Sequence, residues 1–529
     1  MPKRHLKRPW PYPYIPNFPP RHRNMWWKSL WGSSRKRLLA SILSGLLYGL
    51  SQPGPNLWPL AWVCLIPLLY ALEGRDSKER LLLGLASGCV AYLTCCYWII
   101  VAVNKYGGIS LVGSVAILLL LCLYLGSYWA LFSALSFAFK EKGIQRVLFG
   151  SCLWTVLEYL RGHLLTGFPW ALLAHSQWEF VPLLQVSEII GAYGLSFVLA
   201  FVNLALYQCL KEPRQWAVPL TAFIVVIIVV LYGHLRLKTL SVCPELKVGI
   251  VQGNVEQGVK WEGEMKKKIL ELHRKLSLCL LPERPDLLIW PETAFPGYWP
   301  LDPLSSVPEE VAKETQNWLL FGALRQEGHR TFNSAFLLSP EGRLVGLYDK
   351  VHLVPFGEYL PLRATLERLF GQLREAVPGD ISPGESIKVL PFPHGRFSVL
   401  ICFEIIFPEL AREAVRKGAE FLVTITNDAW FGRTSAPYQH LAQAVFRAVE
   451  TRRWVLRAAN TGISAVIDPL GRKRKETGLF QTEAFVSPFG LMKGVTPYVR
   501  FGDMLIWACT VFMALSTLQA IGLDRSSRS

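Results

Sequence analysis

Three short stretches of this chain set an acid, an amine and a thiol beside apolar, strand-like runs. Glu292 lies in LIWPET, Lys350 in YDKVHLVPFGEYLP and Cys402 in VLICFEIIFPE. A thiol carries an acyl group as a thioester once a neighbouring base or cation gives it thiolate character. Glu292 suits the base, taking the thiol proton and returning it to a leaving group. Lys350 suits the oxyanion of a tetrahedral intermediate. Glu358, in the PFGE turn after Lys350, can hold that amine or assist proton transfer. Each residue alone also has a plainer reading. Cysteines in apolar strands are mostly packing residues, a carboxylate after a strand often caps a helix, and a hairpin lysine is usually solvated. His352 reads as structural. No G-x-S-x-G elbow is apparent and no His/Cys/Asp set has metal-ligand spacing, so neither a metal nor another cofactor is expected.

The elements around these residues read as an α/β domain over 240–490. LKVGIVQGN (246–254) is a buried strand, and EMKKKILELHRKLSLCLL follows as a helix with Ile269, Leu272, Leu276 and Leu280 at helical spacing. DLLIWPE ends on Glu292, and TFNSAFLLSPEGRLVGLYDK reads as a hairpin turning at Pro340–Glu341–Gly342 and ending on Lys350. FSVLICFE ends near Cys402. EFLVTITND, a long helix over 437–458 and a hairpin around DPLGR complete the unit. All three chemical residues fall at or just past strand C-termini, where polar groups from separate strands converge in α/β sheets.

Apolar blocks flank this domain on both sides. The chain has 529 residues, 51% of them hydrophobic and gathered in long runs, which excludes an ordinary soluble enzyme and a disordered protein. Runs long enough for a bilayer lie near 38–52, 57–73, 81–103, 110–139, 147–160, 186–210, 217–236 and 503–523, giving about eight spans. EGRDSKER, KEKGIQR, KEPRQ and the tail DRSSRS are basic-rich, whereas SQPGPN and NKYGG carry almost no positive charge. Eight spans with both ends inside satisfy every loop and put the α/β domain outside, in the periplasm of a two-membrane bacterium. The net charge of +17 owes much to residues 1–37, which hold ten Lys or Arg and no Asp or Glu. That leader reads as a cytoplasmic topology anchor. Nucleic-acid binding is not expected, since no groove-reading motif accompanies the charge. The segment 161–182, RGHLLTGFPWALLAHSQWEFVP, reads as a re-entrant or interfacial loop with Trp170 and Trp178 as anchors, or as a lipid-binding wall. Most of the eleven cysteines lie in the spans. Cys243 and Cys279 are able to pair only if the domain faces an oxidising space.

Taken together, WPET, YDKVHLVPFGE and ICFE, in that order, resemble the nitrilase (carbon–nitrogen hydrolase) superfamily, whose Glu-Lys-Cys site sits in an αββα sandwich. A nitrilase-like domain inserted before the last of eight spans resembles the bacterial apolipoprotein N-acyltransferase family. TGFPW, VQGNVEQGVKW, HLVPFGEYLP and ITNDAWFG look like that family's segments too.

That resemblance implies a two-stage acyl transfer, with Glu292, Lys350 and Cys402 catalytic and Glu358, Phe403 and Glu404 supporting. Glu292 activates Cys402, the thiolate takes an acyl chain from a membrane phospholipid, and Lys350 with the Phe403 N–H stabilises the oxyanion. The thioester then meets the α-amine of a diacylglyceryl-cysteine apolipoprotein. The chain is thus expected in the cell inner membrane. Where the family often has Tyr after the cysteine, this chain has Phe403. Aromatic segments FPGYWPLDP and AWFG suggest lipid-facing loops with Trp299 and Trp430 at the entry, and Trp261 near the pocket follows from the resemblance alone. Two other readings stand beside this one. A membrane-anchored amidase would use the same triad on a small amide, though one anchor would suffice for it. A transporter or scaffold would carry a degenerate outer domain, but the spans are nearly free of charge apart from Glu158 and Glu188.

Overall fold

The structure is a computed structural model that describes residues 33–137, 143–258, 260, 263–363, 368 and 380–526. Most of the basic leader and Trp261 lie outside the described residues.

Before the α/β domain the apolar runs form the helices Ser34–Ser51, Ser77–Cys96, Leu111–Leu135, Ile144–His163, Ser187–Lys211 and Ala217–Thr239, and Met504–Ser526 follows it. Among the described residues, four helices are long and apolar enough to cross a membrane: Ser77–Cys96, Leu111–Leu135, Ser187–Lys211 and Ala217–Thr239. The run expected at 57–73 is instead a 3₁₀ turn, Trp58–Trp62, and a short helix, Ile66–Leu72, with prolines at both starts. Together they form the shorter apolar helical run Trp58–Leu72. Small residues let the bundle close. A Cβ added at Gly88 would lie 2.7 Å from the Gly126 Cα, so Ser77–Cys96 and Leu111–Leu135 meet backbone to backbone.

The segment 164–180 returns into the bundle without regular helix, and polar side chains satisfy its backbone. Arg161 donates to the Phe168 and Trp170 carbonyls at 3.3 and 2.7 Å, and the Tyr48 hydroxyl donates to the Ala171 carbonyl at 2.6 Å. Glu158 accepts from the Leu173 N–H at 2.9 Å and Ser196 Oγ from the Ala174 N–H at 3.0 Å. Irregular backbone at membrane depth needs such partners. Trp170 and Trp178 are both buried, so they are not the interfacial anchors expected from the sequence: their indoles bond Gln439 and Asn56 inside the protein.

The α/β domain builds two six-stranded sheets. The strands are β1 Leu246–Gln252, β2 Leu287–Ile289, β3 Trp318–Glu327, β4 Arg330–Leu338, β5 Leu344–Asp349, β6 Val389–Phe392, β7 Gly395–Ile401, β8 Phe421–Thr426, β9 Val455–Ala459, β10 Ala465–Ile467, β11 Lys473–Glu476 and β12 Glu483–Phe489. Their orders are β12-β1-β2-β3-β4-β5 and β11-β10-β9-β8-β7-β6. The central pairs β1/β2, β2/β3, β7/β8 and β8/β9 are parallel. The sheets face each other through β1 against β9 and β4 against β7. Gly263–Cys279 and Ser306–Thr315 cover the first sheet, and Pro408–Arg416 and Ala436–Thr451 the second. This is the expected αββα sandwich. The helix expected to run to 458 ends at Thr451, because Arg452 turns left-handed (φ 50°) and the following apolar run pairs as β9.

The helix Ala436–Thr451 packs on Ser187–Lys211 and is almost wholly buried. Glu188 accepts from Arg452 Nε at 2.7 Å and Arg236 Nε at 2.6 Å, and Glu450 accepts from the Ala192 N–H at 2.9 Å. Buried ionic contacts of this kind fix register between the two parts more than they add net stability.

Candidate active site

Glu292 lies three residues beyond β2, where the chain turns through Thr293 at φ +46°. β3 passes directly behind this turn. A Cβ at Gly322 would sit 2.5 Å from the Thr293 N and 2.8 Å from the Glu292 Cα, so only glycine allows the approach. Lys260 braces the same turn, donating to Thr293 Oγ1 at 2.6 Å and to the Glu292 carbonyl at 3.3 Å. Burial pulls the Lys260 amine down to about 8, with Glu292 opposing.

Lys350 follows β5 and is buried. Its Nζ donates to Glu358 Oε1 at 2.9 Å and lies 3.9 Å from Glu292 Oε1. Asn333, on neighbouring β4, joins the two carboxylates: its Nδ2 donates to Glu292 Oε1 at 2.8 Å and to Glu358 Oε1 at 3.0 Å. Glu358 Oε2 accepts from the Val354 N–H at 2.8 Å, which closes the turn around Lys350. Burial disfavours the ammonium, but Glu358, Glu292 and Cys402 outweigh it and hold Lys350 above its ordinary range. Lys350 therefore stays a cation.

Cys402 directly follows β7, with φ +53°, and begins a 3₁₀ turn, Cys402–Ile406. Burial and then the Glu292 charge push its thiol up, while Lys350 and Thr426 pull it down. At rest Cys402 is thus a thiol near a cation, and forming its thiolate needs a base. Phe403 is half-buried with its ring against Phe407. Glu404 is fully buried and binds structure rather than solvent. Its Oε1 accepts from the Tyr348 hydroxyl at 2.7 Å, the Val351 N–H at 2.8 Å and the His352 N–H at 3.1 Å, and its Oε2 accepts from the Ile401 N–H at 2.7 Å. It ties the strand carrying Cys402 to the turn carrying Lys350. Burial raises its carboxyl to about 7.

A second layer lies behind the thiol. Asp428 Oδ1 is 2.9 Å from His440 Nδ1, and Asp428 Oδ2 accepts from Arg457 at 2.7 Å. His440 Nε2 donates to the Cys402 carbonyl at 3.0 Å. Arg457 and His440 overcome burial and hold Asp428 down at about 2. The residue preceding His440, Gln439, receives the Trp170 indole at 2.6 Å and the Trp98 indole at 3.3 Å, and donates to the Cys95 carbonyl at 3.1 Å.

The structure thus brings Glu292, Lys350, Glu358 and Cys402 into one cluster, with Glu404 as its structural tie. Trp430 is exposed with its ring against Tyr106. Trp299 is not lipid-facing as expected. It is buried, its ring on Phe336 at 4.7 Å and its indole donating to the Ser305 carbonyl at 3.1 Å. The sequence reading missed Asn333, Lys260, Asp428 and His440. A signal existed for one of them: Asn333 is polar in the buried run TFNSAFLL, whereas His440 shares its helix with Gln439, Gln443, Arg447 and Glu450. Among the described residues, no group of His, Cys, Asp and Glu is placed to hold a metal.

Comparison with known proteins bears on both halves. Residues 44–205 match the apolipoprotein N-acyltransferase N-terminal domain, and residues 247–486 match carbon-nitrogen hydrolase. An apolipoprotein N-acyltransferase of Geobacter metallireducens is 41% identical, over 93% of this chain and 96% of its own length. Those of Gloeobacter violaceus and Haemophilus ducreyi are 33% and 32% identical, over 95% of each relative's length. Among solved structures, a mutant amidase from Nesterenkonia sp. AN1 aligns with 50% of this chain and 99% of its own, at 19% identity and a TM-score of 0.38.

Proposed function

This chain belongs to the apolipoprotein N-acyltransferase family, and from that premise we propose how its residues carry the reaction. The protein is a membrane-embedded N-acyltransferase that acylates lipoproteins. In the proposed first stage, Glu292 takes the Cys402 proton and the thiolate attacks an ester carbonyl of a membrane phospholipid. Lys350 and the Phe403 N–H receive the oxyanion. Glu292 returns its proton to the departing glycerol oxygen, and a lysophospholipid leaves. In the second stage the α-amine of a diacylglyceryl-cysteine N-terminus attacks the Cys402 thioester. Glu292 takes the amine proton, the oxyanion again meets Lys350, and the thiolate departs to be reprotonated. One site serves both stages in turn, so the kinetics are ping-pong.

The observation that carries this reading is the shared cluster of Glu292, Asn333, Glu358 and Lys350 around Cys402. Glu358 is the positioning group for Lys350, and Glu404 for the Cys402 turn. Trp430 is the proposed entry residue. Trp261, by resemblance alone, lies near the pocket. The membrane region is proposed to span about eight times, counting the shorter helices, with the α/β domain in the periplasm and the chain in the cell inner membrane. The basic leader, the seven-span membrane domain 38–236, the catalytic domain 240–490 and the last helix 503–523 are its proposed parts.

Purified protein given phospholipid as its only acyl donor, and then a diacylglyceryl peptide, tests the reading. Peptide N-acylation that is lost in Cys402→Ala is expected. Retention of transfer in that variant, or hydrolysis of small amides in place of transfer, would refute it.

A further inference from the structure

Cys402 stands at a positive φ, a conformation that non-glycine residues rarely adopt. Something must hold the nucleophile there. Its carbonyl accepts from His440 Nε2 at 3.0 Å, while His440 Nδ1 lies 2.9 Å from Asp428 Oδ1 and 3.2 Å from Arg457 Nη2. Asp428 is fixed in turn by Arg457 at 2.7 Å and by the Thr426 hydroxyl at 3.0 Å. The Trp170 ring from the re-entrant membrane segment lies 5.6 Å from the His440 ring. All four polar residues are buried.

The consequence lies in the next peptide bond. The Cys402–Phe403 peptide is trans: among the described residues the cis bond is Trp299–Pro300. In a planar trans peptide the C=O and the following N–H point in opposite directions. Holding the Cys402 carbonyl on His440 therefore aims the Phe403 N–H away from His440.

We infer that His440 is a positioning residue whose hold on the Cys402 carbonyl aims the Phe403 N–H at the oxyanion. Through Trp170 and Gln439, the membrane segment 164–180 sets that aim. The inference rests on the acyl-enzyme reading proposed above. It gives TGFPW and ITNDAWFG a shared purpose: one supplies Trp170 and the other Asp428, both beside the same imidazole. The membrane region then does more than deliver lipid, because it completes the nucleophile's backbone geometry.

The test separates aiming of the donor from availability of the thiol. His440→Phe keeps a ring beside Trp170 and removes the donor, whereas His440→Gln keeps a donor on a flexible stem. Two rates are measured on the full-length protein in detergent micelles: acylation of Cys402 by phospholipid, and alkylation of Cys402 by iodoacetamide, both by peptide mass spectrometry. Alkylation needs the thiolate but no oxyanion donor. His440→Phe is expected to slow acylation about 10²-fold, the scale of losing one oxyanion donor, with alkylation within about twofold and with at least tenfold recovery in His440→Gln. Acylation at the wild-type rate in His440→Phe overturns the inference, as does an equal loss of both rates. If His440→Phe does not fold, His440→Gln decides: acylation as impaired as in a donor-less site, with alkylation intact, overturns it. Acyl transfer surviving in Cys402→Ala would instead sink the acyl-enzyme reading itself, whatever His440 does.

Discussion

Asn333→Ala probes the joint between the two carboxylates. Its Nδ2 is the hydrogen-bond donor to Glu292 Oε1, at 2.8 Å, and it reaches Glu358 Oε1 at 3.0 Å. Glu358 keeps Lys350 at 2.9 Å and the Val354 N–H at 2.8 Å after the substitution. Glu292 is left with Lys350 at 3.9 Å, too far for a hydrogen bond. The loss therefore falls on the orientation of Glu292. A hydrogen bond to a charged group contributes about 1.5–3 kcal/mol, which corresponds to a loss of roughly 10–150-fold if the bond matters fully in the transition state. Because Glu292 is proposed to move a proton in both stages, acylation by phospholipid and discharge by peptide amine should slow together. Single-turnover measurement of each stage, with the thioester followed by mass spectrometry, is the assay. Acylation in Asn333→Ala within twofold of wild type would refute the argument that Asn333 orients the base.

Four further outcomes are expected. Gly322→Ala puts a Cβ 2.5 Å from the Thr293 N. It should cost about 1–3 kcal/mol of stability, read as an earlier melt, together with a fall in activity. Asp428→Asn removes the carboxylate facing buried Arg457 and should destabilise by about 3–5 kcal/mol. In the wild type the Asp428 carboxyl sits at about 2, below its unfolded value, so its stabilisation is complete above the unfolded value and is lost as pH falls through about 2. That window is worth about 2 kcal/mol and should be missing from acid denaturation of the variant. Trp299→Ala should lower stability by about 3–5 kcal/mol, whereas Trp430→Ala should leave the melt unchanged and raise the KM for phospholipid. The exposed thiols of Cys243 and Cys279 should be labelled in intact spheroplasts by a membrane-impermeant maleimide; protection until lysis would contradict the periplasmic placement.

Residues that act through their immediate neighbours were legible in the sequence. Glu292, Lys350 and Cys402 each follow a buried strand, and strand ends are where such sheets gather chemistry. Asn333 stood out as a polar residue in a buried run, but its role was not legible, because that role depends on β4 lying beside β5 in a register that no local pattern states. Glu404 looked like part of the chemistry because it stands two residues from the thiol, but a 3₁₀ turn directs its carboxylate into four structural bonds. Trp299 was misread for a related reason: an aromatic-rich loop has the same composition whether its rings face lipid or fold onto Phe321 and Phe336. The run at 57–73 is apolar enough to suggest a span, yet Pro59 and Pro67 break it into two short pieces. The almost wholly buried helix Ala436–Thr451 had no sequence pattern naming the membrane helix that covers it.

The central claim is that Cys402 carries the acyl chain between two lipid substrates. Mass spectrometry of the intact protein after incubation with phospholipid alone tests it most directly. The account predicts one acyl adduct, mapped to Cys402, that disappears on addition of a diacylglyceryl peptide as the same acyl mass appears on the peptide amine. An adduct elsewhere, or peptide acylation without any adduct on Cys402, would contradict it.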